Sequence, residues 1–160
     1  MKEFAFKIVL LLFFLPLIGF TQPKNEVNPN GYNTFYYDNG KISSEGTMRD
    51  GKPDGYWKNY YQNGNLKNEG NRVNYELDST WKFYDEDGRI TKSYTYKHGK
   101  KNGFTINYDT TGKVTQKENF VDNIKSGNSF VYYKSKKLKQ IILFKNGKAE
   151  GTSYEFDEDS

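Results

Sequence analysis

A glycine returns every 24 residues along most of this chain, and that period decides what the chain can fold into. Gly31, Gly55, Gly103, Gly127 and Gly151 share one phase, with Ser79 in the remaining place. Five positions on, every unit carries an aromatic ring: Tyr36, Tyr60, Tyr84, Tyr108, Tyr132 and Phe156. Gly40, Gly64, Gly88 and Gly112 follow, with Lys136 the departure, and beside them runs an aliphatic column of Ile42, Leu66, Ile90, Val114 and Leu138. A last column holds Gly51, Gly99 and Gly147, broken by Tyr75 and Asn123. No insertion interrupts five units. One supersecondary element is being repeated, and neighbouring copies must bury each other's apolar side chains.

Each unit reads as a β-hairpin. Pairs such as Tyr36-Tyr37 and Tyr60-Tyr61 end a first, aromatic-rich strand. Asp38-Asn39-Gly40 and Gln62-Asn63-Gly64 then supply turns, because Asn and Gly adopt positive φ cheaply. The second strand starts at the aliphatic column, with Ile42, Ser44, Gly46 and Met48 expected on one face and Ser43, Glu45 and Thr47 on the other. Gly51-Lys52-Pro53-Asp54-Gly55 is expected to turn the chain into the next hairpin, with Pro53 inside that turn. A lone hairpin is marginal in water, so the fold class follows: all-β, one open, elongated antiparallel sheet of stacked hairpins over residues 31–160. Five units and a first half-strand from Gly151 would span about 50 Å at ~4.8 Å per strand.

The start of the chain reads differently. Lys2 and Lys7 precede an uncharged run from Ile8 to Phe20, too short to cross a bilayer comfortably and broken by Pro16. That pattern predicts a signal peptide over 1–21, cleaved before Gln22, with residues 22–30 as a flexible linker. Export to the periplasm, cell envelope or exterior is the corresponding expectation. With no cysteine, an exported domain must rest on burial and strand pairing alone. The net charge of +4 falls to about +3 without Lys2, Lys7 and Glu3, too little to recruit nucleic acid. The 14 Tyr, 12 Phe and 2 Trp argue against disorder despite a polar composition.

The stretch from Gly55 through Trp57, Tyr60, Tyr61, Asn63, Gly64 and Leu66 to Gly70 resembles the consensus of the MORN-repeat variant family. The resemblance runs from Gly31 to Asp159. It weakens where glycines give way to Tyr94, Glu118 and Ile142 and where Lys136 replaces the turn glycine. It implies an open hairpin sheet serving protein or membrane contact, with catalysis left to other domains. Bacterial members are often labelled antitoxin-like, which implies neutralising a toxin by binding, a role at odds with an export signal on a chain facing a cytoplasmic toxin.

Candidate chemistry falls into the repeat phase. His98, the one histidine, shares its phase with Asp50, Asn74, Asp122 and Asn146, so it reads as a turn residue. Asp85-Glu86-Asp87-Gly88 and Asp157-Glu158-Asp159 occupy the hairpin-turn positions and lack the ligand spacing of a calcium loop. No catalytic residue, metal site or cofactor is expected. Trp57 and Trp81 hold equivalent positions, and with Tyr37 and Tyr61 they form either core or a partner-binding aromatic strip. Trp57 and Tyr60 are three apart, so either a bulge intervenes or they take opposite faces. Lys134, Lys136, Lys137 and Lys139 form the densest basic cluster, as the solvated face of a strand or as contacts to an anionic membrane surface. The expected function is an exported scaffolding or protein-binding module. An immunity protein and a peripheral lipid binder are the alternatives.

Overall fold

A computed structural model describes residues 26–151 and 153–159. The expected signal peptide and residues 22–25 of the expected linker lie outside the described residues. Two kinds of turn alternate along the chain. In the first, Tyr37 N donates to Lys41 O (2.8 Å) and Gly40 N to Tyr37 O (2.9 Å), and the same pair of bonds recurs at 61–65, 85–89, 109–113 and 133–137. In the second, two residues alone reverse the chain, both left-handed: Asp50 (φ 50°) with Gly51 (73°), then Asn74 (52°) with Tyr75 (70°), and likewise at 98–99, 122–123 and 146–147. That is the geometry of a two-residue type I′ hairpin, whose twist matches the flanking strands.

The strands these turns join are β1 (Tyr32–Tyr36), β2 (Ile42–Arg49), β3 (Lys52–Tyr60), β4 (Leu66–Val73), β5 (Glu76–Tyr84), β6 (Ile90–Lys97), β7 (Lys100–Tyr108) and β8 (Val114–Val121). There follow β9 (Ile124–Lys125), β10 (Gly127–Tyr132), β11 (Leu138–Lys145), β12 (Lys148–Ala149) and β13 (Tyr154–Glu155). All are antiparallel in one sheet whose order follows the sequence, with β9 beside β8 and β13 beside β11. The order does not close on itself, so the expected open sheet of stacked hairpins is what forms.

Three local expectations need correction. Pro53 lies in β3, paired with Met48, because Asp50-Gly51 has already completed the turn. Its missing N–H is tolerated because the ladder slips between Gly46 and Met48, placing Gly55 in a bulge. Facing is not a simple alternation from Ile42: Phe35 pairs with Ser44 but Tyr36 with Ile42, so Ser43 is an extra residue and Ile42 leaves the phase of Ser44 and Gly46. Residues 28–30 are docked onto the first unit. Asn28 N donates to Asn33 Oδ1 (2.7 Å), Gly51 N to Pro29 O (2.9 Å) and Asp50 N to Asn30 Oδ1 (2.8 Å).

Among the described residues the sheet is a single layer, and its core is a row of side chains across one face. The row runs through Asn33, Gly46, Trp57 and Gly70, then Trp81, Tyr94, Thr105 and Glu118, then Ser129 and Ile142. Trp57 and Trp81, 6% and 4% exposed, are its buried centre. A Cβ on Gly46 would stand 2.6 Å from the Trp57 ring, and one on Gly70 2.3 Å from Trp81. Each glycine is therefore the space its tryptophan occupies. The indole N–H groups donate to Thr47 O (2.7 Å) and Asn71 O (2.8 Å), so burial strands no donor.

Candidate interaction face

The opposite face carries its own row, and that row changes character halfway. Glu45 pairs with Lys58, Lys58 with Glu69, and Glu69 with Lys82, an alternation of charge that suits cross-strand neighbours. Tyr60 and Tyr84 donate their hydroxyls to Glu45 (2.6 Å) and Glu69 (2.8 Å). Burial first, then the bond to Glu45 and its charge, pushes the Tyr60 hydroxyl well above its ordinary range; Tyr84 is raised the same way by burial and Glu69, and Tyr56 to about 12. Beyond Lys82 the row continues as Ser93, Ile106, Lys117, Phe130, Ile141 and Tyr154.

Apolar groups stand in solvent along the whole face, Tyr32, Tyr56 and Val73 among the charge pairs of the first units, and in units four and five they stand without those pairs. Phe104, Val121, Ile124 and Leu143 share the Ile106 face by alternation and are 37%, 49%, 51% and 44% exposed. At the turn-side margin of the same face, Ile106, Val114 and Tyr132 floor a basin of about 640 Å³ rimmed by Lys113, Lys117 and Lys136. Lys117 Nζ lies 3.9 Å from the centre of the Phe104 ring, joining basin and patch. On the tryptophan face, a smaller groove of about 340 Å³ runs between Trp57 and Trp81, with Asn59 Nδ2 donating to Asn68 Oδ1 (2.7 Å) in it.

The structure separates the expected site residues. Trp57 and Trp81 are buried and reach the groove at their edges. Tyr37 and Tyr61 are half-buried, and each donates its hydroxyl to a backbone oxygen of the next unit, Tyr60 O (2.6 Å) and Tyr84 O (2.8 Å). They do not form one strip with the indoles. Trp57 and Tyr60 lie on opposite faces, as Glu45 and Gly46 show from across the ladder. Lys134, Lys136 and Lys137 are in a turn rather than on a strand, so the alternating strand face expected for them holds only for Lys139 on β11. Lys137 Nζ donates to Glu158 O (2.8 Å) and Lys139 lies over the Tyr133 ring (5.5 Å), whereas Lys136 turns to the basin. Its companions Lys113 and Lys117 were not singled out from sequence. They belong to the preceding unit, and the signal that could have found them is that Lys113 shares the phase of Lys137.

His98 (φ 48°) opens a two-residue turn on the surface. Asp85 closes its turn: Oδ1 accepts from Asp87 N (3.1 Å) and Arg89 N (2.8 Å), and Oδ2 from Arg89 Nε (2.9 Å). These bonds hold its carboxyl below the usual carboxylate range.

A sequence comparison with curated proteins returns no match. A family model described as MORN repeat variant matches residues 29–50, 53–74, 77–98 and 125–146. Each segment contains one turn of the first kind and ends at the first residue of a two-residue turn, and together they cover just over half of the chain. By period, hairpin construction and this match, the chain belongs to the MORN repeat variant family.

Proposed function

We propose that this chain is an exported, non-catalytic module that holds a protein partner against the last two units of its sheet, as scaffolding in the cell envelope. MORN repeats are protein- or membrane-binding modules. The observation that carries the reading is the composition of one face: in units one to three the exposed Tyr32, Tyr56 and Val73 sit beside an alternation of Glu and Lys, whereas units four and five expose Phe104, Val121, Ile124 and Leu143 without it. Contiguous exposed apolar groups of this kind mark interaction sites in soluble domains. The β-ladder presents them on a rigid base, so little ordering is needed on binding.

The test is a cross-linked pull-down from the envelope fraction with the protein and with Phe104→Ser/Leu143→Ser, both polar changes at solvent-facing positions. One stoichiometric protein, captured by the parent chain and lost with the variant, supports the module. If that protein is a toxin, the role is immunity. Capture unaffected by the variant, or recovery of lipid alone, overturns the proposed face.

A further inference from the structure

We propose that the basin between the turns of units four and five receives an acidic, extended segment of the partner, with one apolar side chain on Ile106, Val114 and Tyr132 and carboxylates at Lys113, Lys117 and Lys136. This rests on the protein-binding reading above and names the chemistry the partner brings. The basin offers an apolar floor with three ammonium groups at its rim, drawn from two turns and one strand. Lys113 is held in place by donating to Lys134 O (3.3 Å), and Lys117 by the Phe104 ring. Glu118, next to Lys117, points to the other face and pairs with Lys125, and Asp109, in the turn of Lys113, is taken up there by Thr111 N (2.8 Å), Thr111 Oγ1 (2.6 Å) and Lys113 N (3.0 Å). Positive charge thus dominates the rim.

Lys136 strengthens the assignment. It sits at φ 75°, at the turn position where the four preceding units place Gly40, Gly64, Gly88 and Gly112 at φ 77–96°. A side chain there works against the backbone, and such strain is retained where the side chain has a use. The neighbourhood then selects among anionic occupants. Along the same turn edge, Asp85, Glu86 and Asp87 flank the lysines on one side and Asp157, Glu158 and Asp159 on the other. A planar anionic bilayer against this edge would meet both acidic runs as well as the lysines. A narrow peptide strand reaches the lysines alone.

The probe is a labelled peptide of one Leu flanked by Asp and Glu, titrated by fluorescence anisotropy at two salt concentrations. Its twin carries Asn and Gln throughout, and phosphatidylglycerol–phosphatidylcholine vesicles are run in parallel. Salt-sensitive binding is expected to the acidic peptide and not to its twin. Lys113→Gln, Lys117→Gln and Lys136→Gly should each weaken it about tenfold, roughly 1.4 kcal/mol. Lys136→Gly restores the residue the turn favours, so its melting temperature should hold or rise, separating lost binding from lost fold. Three results overturn the proposal: no peptide binding, equal binding by the triple variant, or lysine-dependent binding of vesicles alone. In the pull-down, a partner lost with Phe104→Ser/Leu143→Ser but kept by the lysine variants removes this site and leaves the module. Peptide binding without any captured partner does the reverse.

Discussion

The tryptophan half of the sheet and its serine–threonine half solve the same packing problem by opposite means. In units two and three a large indole fills the space left by a glycine on the neighbouring strand, Trp57 with Gly46 and Trp81 with Gly70. From unit four onward the sizes exchange places. Thr105 faces Tyr94 and Glu118, and Ser129 faces Ile142. Large and small side chains still alternate along the row while its chemistry changes. Glu118, only 9% exposed, has replaced a glycine, and it is held by an ion pair with Lys125 and a bond from Gln116 Nε2 (3.2 Å). The difference teaches that the apparent decay of the repeat in later units is paired: where the large residue is lost, the glycine beside it goes too. A packed layer tolerates little net change in volume.

The largest expected effect tests that pairing. Gly70→Ala places a Cβ 2.3 Å from the Trp81 ring, which lies over Gly70 where the β4–β5 ladder shifts register, and should cost about 3 kcal/mol as overpacking. Combining Gly70→Tyr with Trp81→Thr reproduces the Tyr94–Thr105 arrangement and should be far less harmful than the sum of the two changes. A double-mutant cycle by urea unfolding measures this. Additive losses would break the comparison, since the two halves would then differ by chance rather than by exchange.

Most of the architecture was legible because the repeat writes it many times. The hairpin turns, the strand order and the family followed from glycine, aromatic and aliphatic columns that local backbone geometry enforces. Three things were not legible, each for a physical reason. Ser43 lies in a bulge, and one extra residue reverses every facing inferred by alternation beyond it. Pro53 reads as a turn residue only while the sufficiency of Asp50-Gly51 is unknown. The lysine basin joins residues of two units, Lys113 and Lys117 with Lys136, and a cluster read along the chain gathered Lys134, Lys137 and Lys139 instead. Phase comparison finds columns, whereas a site assembled across strands needs the register.

The second expected effect sharpens the comparison on the other face. Tyr60 and Tyr84 bond Glu45 and Glu69 only in the charge-paired half, and both hydroxyls are raised above the ordinary 10.0. A group whose folded pKa exceeds its unfolded value stabilises the fold fully below the unfolded pKa and loses that contribution as pH climbs through the folded one. The melting temperature should therefore stay level up to about pH 9.5 and fall above pH 10, where the unfolded chain ionises first. Tyr60→Phe/Tyr84→Phe, which removes both titrating groups, should lower the plateau slightly and flatten the alkaline fall. Calorimetry between pH 8 and 11 checks this, and equal slopes in the two proteins would locate the alkaline sensitivity elsewhere.

The smallest expected effect carries the opposite sign. In the tryptophan half the buried donors Trp57 Nε1 and Trp81 Nε1 are both bonded, but Thr105 Oγ1 and Ser129 Oγ are buried without a partner on either side of Glu118. A hydroxyl left unpaired in a dry row costs free energy that its removal recovers. Ser129 is the tighter case, at 1% exposed, and Ser129→Ala removes the oxygen with almost no change of shape. It should leave stability unchanged or raise it by up to about 1 kcal/mol, and Thr105→Val should behave alike. Such a gain, read from the urea midpoint at constant m-value, would show that exchanging indole for hydroxyl left polar atoms unserved. A loss would mean that these hydroxyls reach the Glu118 carboxylate through water, which would make the later half of the row a hydrogen-bonded network rather than a substitute for the indoles.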